Sequence, residues 1–180
     1  MNIRPLTPAD TAQLATFFGA LSERDLTLIR EELSDRTAVA ELVKGGSCWV
    51  AVDEVSTIVG YVSVARLPGW SDHVGELRLV VGPHQRGRGI GRDLAQHALA
   101  HSLATGSSKV IVELTADQEG AMTMFANLGF TGEALLRGHI RDRGGRFQDL
   151  IVLAHHAHEN WSAIDAVGIA DIIHLEGTAP

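Results

Sequence analysis

The stretch Gln85-Arg86-Gly87-Arg88-Gly89-Ile90-Gly91 follows an apolar run at residues 77–81 and precedes a helical pattern that begins near Arg92. Three glycines at alternate positions allow a tight turn and let backbone N–H groups approach a ligand that Cβ atoms would hold off. The helix start that follows adds unpaired N–H groups and the positive end of a dipole. Strand, glycine-rich loop and helix together make a candidate cradle for a pyrophosphate.

The rest of the chain supplies the elements such a loop needs. Residues 2–6 read as a first strand. Thr7-Pro8-Ala9-Asp10 reads as a helix start capped by Thr7, continued by Leu14, Phe17, Phe18 and Leu21. Ser22 is a candidate cap for a second helix, with Leu26, Ile29, Leu33, Val39 and Leu42 spaced for one buried face and Gly45-Gly46 closing it. Three strands follow, at residues 48–52, at 58–65, and from 74 or 76 to 81. Their short, turn-rich separators predict consecutive antiparallel pairing. Beyond the loop, Leu94, Ala95, Ala98, Leu99 and Leu103 predict a helix ending near Gly106. A fifth strand is expected at residues 109–114 and a helix at 120–128. Residues 139–153 read as a hairpin turning at Asp142-Arg143-Gly144-Gly145. Residues 163–175 fit either a late helix or a strand. With 180 residues and no internal repeat, the expectation is one domain over 1–155 and a tail at 156–180 that packs on the body or on a neighbour. A homodimer contact built by that tail stays open.

Composition narrows the function classes. A formal charge of −7 argues against a general nucleic-acid binder, which carries a basic excess. No apolar run approaches the roughly 20 residues of a membrane span. The N-terminal residues lack the pattern of a signal peptide, so the expected location is cytoplasmic. The single cysteine, Cys48, excludes an intrachain disulfide and, beside Trp49 and Val50, reads as a buried strand thiol. His97 and His101 stand one helical turn apart, but without matched carboxylates or thiolates they do not make a metal site, and no metal is expected.

The segment Val81-Gly82-Pro83 followed by Arg86-Gly87-Arg88-Gly89-Ile90-Gly91 resembles the acetyl-CoA motif of the GCN5-related N-acetyltransferase (GNAT) superfamily. Downstream, Ala121, Phe125, Leu128, Gly129 and Phe130 look like the same family's second signature. A dinucleotide-binding loop would follow the first strand of a parallel unit; here several strands precede it, joined too tightly for helical crossovers. The resemblance implies an α/β (mixed α+β) fold: a twisted mixed sheet of six to seven strands, flanked by about four helices and splayed between the fourth and fifth strands. It also implies an acetyl-CoA-dependent N-acetyltransferase acting on a primary amine, of a protein lysine or a small molecule, by direct attack in a ternary complex.

On that resemblance, the amides of Gly87, Arg88, Gly89, Ile90, Gly91 and Arg92 would hold the pyrophosphate, with Arg86 and Arg88 adding charge beside it. Leu79, Val80 and Val81 would pair with the pantetheine arm, and the Val81 N–H would polarise the thioester. Gln118 stands where the family often has an asparagine that contacts the cofactor. Glu76 resembles in its spacing the general base of bacterial lysine acetyltransferases, and His73 is the rival base. Phe125 replaces a tyrosine that commonly protonates the departing thiolate, which keeps a second reading open: a non-catalytic acetyl-CoA-binding sensor. Arg137, Arg141, Arg143 and Arg146, interleaved with Asp142 and Asp149, read as a solvated hairpin.

Overall fold

The computed structural model describes residues 1–26, 47–142 and 144–157. The expectations for Ile29, Leu33, Val39, Leu42, Gly45, Gly46, Arg143 and residues 163–175 lie outside them. In chain order the described elements are β1 (Asn2–Pro5), α1 (Thr11–Gly19), α2 (Glu23–Leu26), β2 (Cys48–Val52), β3 (Ile58–Arg66), β4 (Val74–Val81), α3 (Ile90–Ala104), β5 (Lys109–Thr115), α4 (Glu119–Ala126), β6 (Thr131–Arg141) and β7 (Phe147–His156). The strands form one mixed sheet in the order β1-β2-β3-β4-β5-β7-β6. β1–β2 and β2–β3 are antiparallel, the second as the short separator between them predicts. β4 and β5 are parallel, with α3 as the crossover that parallel neighbours require. Their register runs from Val74↔Lys109 to Leu77↔Val112, and β4 continues to Val81.

The chain divides into two compact units, Met1–Ser63 with Arg78–Leu94, and Val64–Leu77 with Ala95–Pro180. In the first unit, Leu14 and Phe18 lie one helical turn apart on α1 and are buried with Leu6, Val50, Val52, Ile58, Tyr61 and Val80. Each such side chain removed from water contributes about 1.5–3 kcal/mol. The Phe18 and Tyr61 rings meet edge to face at 5.3 Å. The chain's start is held by charge. Both guanidinium nitrogens of Arg4 reach the Asp10 carboxylate at 2.7 Å, and the Thr7 N–H and hydroxyl donate to the same group at 2.9 and 2.7 Å. Thr7 does cap here, but the turn it caps is a 3-10 turn, Pro8–Asp10, that leads into α1. The Arg4 hydrogen bonds hold the Asp10 carboxyl far below the usual carboxylate range. Its contribution is therefore present above the unfolded-state value and lost as pH falls below it. Asp10→Ala is expected to cost about 1.5–3 kcal/mol in urea denaturation at pH 7, and less at pH 3.

In the second unit, Val110, Val112 and Leu114 of β5 face Leu153 and His155 of β7 in an antiparallel register that pairs Val110 with His155. Phe125, Leu128 and Phe130 are buried here. The Phe125 and Phe130 rings meet at 5.1 Å, and Phe130 meets the His155 imidazole at 5.5 Å. His155 is 0% exposed, and neither ring nitrogen has a hydrogen-bond partner. Burial, with the charge of His156 as a smaller cause, pushes its pKa below the ordinary 6.5. The unfolded chain then binds more protons than the folded one as pH falls through that value, so stability falls with it. Urea titrations at pH 8 and pH 5.5 should show a loss of stability on acidification that His155→Leu reduces.

Three element boundaries differ from the sequence reading. α3 begins at Ile90 rather than near Arg92, because the last left-handed glycine is Gly89 and Gly91 is already helical. α4 stops at Ala126, and Gly129 (φ 85°) then turns the chain into Phe130. β6 begins at Thr131, well before the expected His139. Two glycines, a mostly exposed surface and a register shift between Leu136 and Ile140 conceal its alternation. The Asp149 carboxylate fills that shift by accepting the Gly138 N–H at 2.7 Å.

Candidate active site

The loop is built from both of its ends. At the close of β4, the Gly82 N–H donates to the Val59 carbonyl at 2.9 Å, and the Gln85 N–H closes a 3-10 turn on the Gly82 carbonyl at 2.9 Å. Gly87 and Gly89 follow with φ of 76° and 84°, left-handed conformations that cost an L side chain about 1–2 kcal/mol. A Cβ on either would meet no heavy atom within 4 Å, so these glycines border open space. The Asp93 N–H donates to the Gly89 carbonyl at 3.0 Å and closes the first turn of α3. The amides of Ile90, Gly91 and Arg92 consequently have no helix carbonyl to bind. An exposed loop of this shape, with amides at a 15-residue helix's positive end, fits a diphosphate.

α3 comes close to β3 because Gly60 lets it. A Cβ there would stand 2.8 Å from Leu94 Cδ1 and 3.3 Å from Ile90 Cγ2. Gly60→Val is expected to cost about 1–3 kcal/mol through overpacking and to displace the start of α3. Thermal denaturation and CoA titration would measure the two effects. A cavity of about 570 Å³ also borders the loop, lined by Gln85, Arg88 and Ile90 with Met1, Asp53 and Glu54. Arg88 leans towards Gln85, donating to its side-chain oxygen at 3.0 Å. The Arg86 guanidinium is directed to Asp25 of α2 and to the Val81 carbonyl rather than left open beside the loop amides. Leu79 and Val81 are half-buried and Val80 is buried among the core residues.

The remaining candidates belong to the second unit. Glu76 is 7% exposed, in the middle of a run of four buried residues of β4, in register with Ile111 of β5. It is therefore not an exposed strand-end glutamate. Its neighbour Gly75 turns the opposite way, towards Ser102 and Ser107; a Cβ there would lie 2.5 Å from Ser102 Oγ. His73 is exposed, and its carbonyl accepts the Ser108 N–H at 3.0 Å. The Gln118 side-chain oxygen accepts the Thr115 N–H at 3.0 Å, which orients the amide at the start of α4. Phe125 is 1% exposed and carries no proton to give. Arg137, Arg141 and Arg146 are exposed, with Arg146 bound to Asp142 at 3.1 Å, as a solvated hairpin requires.

Cys48 is no nucleophile. Its thiol is buried 3.4 Å from the Tyr61 hydroxyl, and burial pushes its pKa up, away from the reactive thiolate. Among the described residues, no group of three or more His, Cys, Asp or Glu side chains is placed to hold a metal ion. Nor is any described helix long and apolar enough to cross a membrane.

The glycine loop at the end of β4, the parallel β4–β5 pair and the sheet order define a mixed α/β fold. The pattern of the Acetyltransferase (GNAT) family matches residues 11–130, and the chain belongs to that family. N-acetyltransferase 8F1 of Rattus norvegicus is 32% identical over 114 residues, 61% of this chain and 51% of the relative. An uncharacterized protein of Mycobacterium leprae is 32% identical over 91 residues, 50% of this chain and 24% of the relative. The chain thus spans about half the length of the first curated relative and a quarter of the second. In fold it is similar to a ribosomal-protein-alanine N-acetyltransferase from Brucella melitensis (TM-score 0.78, 24% identity, 87% of this chain and 99% of that one). It is also similar to a putative acetyltransferase from Salmonella typhimurium solved with acetyl-CoA (TM-score 0.75, 18% identity, 87% and 94% covered).

Proposed function

We propose that this protein is an N-acetyltransferase that moves the acetyl group of acetyl-CoA to a primary amine by direct attack in a ternary complex. The observation that carries the reading is the loop at the end of β4, in which the exposed, left-handed Gly87 and Gly89 border open space and lead directly into the first amides of α3, which have no helix carbonyl to bind. Family membership and the names of the relatives support it.

Acetyl-CoA supplies a thioester, whose carbonyl carbon is the electrophile. The loop amides would anchor its diphosphate, β4 from Leu79 to Val81 would pair with the pantetheine arm, and the Gln118 amide would offer a further donor. An alkylammonium near pKa 10.4 must lose a proton before its nitrogen can attack. Glu76 is the carboxylate for that task, directly or through a water. As the C–N bond forms, the Val81 N–H would stabilise the developing oxyanion. The C–S bond then breaks and the sulfur leaves with the electron pair as a thiolate; the nitrogen gives up its second proton to water and the thiolate takes one from water, since Phe125 has none. The buried thiol of Cys48 supports transfer without an acyl-enzyme.

Thiol release from acetyl-CoA, followed across small amines and lysine peptides, tests the reading; turnover with at least one primary amine is expected. Phe125 favours one rival, an acetyl-CoA-binding sensor without catalysis. Calorimetric CoA binding with no turnover on any amine would establish that rival instead.

A further inference from the structure

Arg86 sits in the donor loop, yet its side chain reaches out of it in two directions. Nε donates to the Val81 carbonyl at 3.2 Å, and one terminal nitrogen pairs with Asp25 Oδ1, 61 residues away in sequence. The second carboxylate oxygen of Asp25 accepts the Ser22 hydroxyl at 2.6 Å and the Ser22 N–H at 3.2 Å, and the Ser22 hydroxyl oxygen accepts the Asp25 N–H at 3.3 Å. Asp25 is thus the far half of a capping box that starts α2, and its other oxygen is spent on the loop. Burial alone would raise the Asp25 carboxyl, but the hydrogen bonds from Ser22 and Arg86 hold it below its usual range.

The Val81–Gly82 peptide is held from both sides. Its carbonyl accepts from Arg86, and its N–H donates to Val59 at 2.9 Å. Those two bonds set the plane of the peptide that follows the Val81 N–H. Because one guanidinium touches both groups, α2 stands within a side chain's reach of the end of β4.

We propose that Arg86 is a positioning residue, which fixes the Val81 backbone for the oxyanion and pins α2 beside it, so that donor loop and α2 are set by one side chain. The inference rests on the proposed acetyl transfer for the role of Val81; the latch itself rests on geometry alone. An ion pair with one half-exposed partner contributes little to stability, so holding the fold together is a poor account of it: the Arg86 side chain is 50% exposed and that of Asp25 11%. Positional accuracy is where it matters, since misplacing a reacting group by about 1 Å can cost ~10²-fold in rate. Lysine could not substitute, because its single nitrogen cannot span the carbonyl and the carboxylate as a planar fork does.

Arg86→Met, Arg86→Lys, Asp25→Asn and the Arg86→Met/Asp25→Asn double variant test it. Amide hydrogen exchange at Gly82 and in α2 is expected to quicken about tenfold in both Arg86 variants, with the unfolding transition nearly unmoved. The CoA dissociation constant should change less than about threefold, while kcat falls about 10- to 100-fold and lysine fails to rescue it. The double variant should be no slower than the slower single one, the sign of a shared interaction. Exchange rates equal to wild type would overturn the proposal. So would a tenfold loss of CoA affinity with kcat at saturation intact, which would make Arg86 a phosphate ligand. A wild-type protein that acetylates no amine would defeat the proposed function, while the exchange rates still decide the latch.

Discussion

Glu76→Gln is expected to lower kcat about 10²- to 10⁴-fold, the usual contribution of a positioned general base. Glutamine keeps the shape of the side chain and removes only its ability to take a proton. The site tolerates little else: Glu76 is 7% exposed between Gly75 and Leu77, on a strand paired with β5. CoA affinity should be unchanged, because the loop amides lie elsewhere on the chain. The loss should shrink as pH approaches that of the free amine, where deprotonated acceptor no longer needs a base. Undiminished turnover at pH 7 would remove Glu76 from the mechanism and pass the role to His73, exposed at the turn before β4.

Phe125→Ala should destabilise the protein by about 3–5 kcal/mol, the range for emptying a buried aromatic site. Phe125 is 1% exposed and its ring meets Phe130, which in turn meets His155. Collapse around the cavity is resisted by the sheet on which these rings lie, so relaxation should recover little. Urea denaturation at constant m-value measures the loss. Phe125→Tyr asks a chemical question at the same position. A gain in turnover would mean that the departing sulfur lacked a proton donor, and unchanged turnover that the thiolate leaves unassisted.

Much of the architecture was legible in the residues. The cores of β2, β3 and β4 and the stripe Leu94, Ala95, Ala98 and Leu99 of α3 follow the apolar periodicity read from the chain. Ser22 does start α2, and Cys48 is the buried thiol its neighbours implied. β6 was half missed because its glycines and exposed face erase the period-2 pattern on which strand recognition depends. Pairing with β7 and the Asp149 side chain, both supplied by another strand, support it instead. Glu76 stands out through a family resemblance in its spacing from the loop, but its burial, at 7% exposed, is legible only in the folded strand.

The sequence by itself determined the glycine loop, since strand, glycines and helix start are contiguous and the φ values of Gly87 and Gly89 depend on local backbone sterics. Family membership followed from the same residues and from the segment around Phe125 and Gly129. Tertiary structure decided what the loop's side chains do. The sequence marks Arg86 as charge beside a phosphate, and folding adds Asp25 and the Val81 carbonyl as its partners. No local rule relates residues 61 positions apart; their meeting depends on how α2 and the end of β4 pack against one core, which only the folded chain specifies.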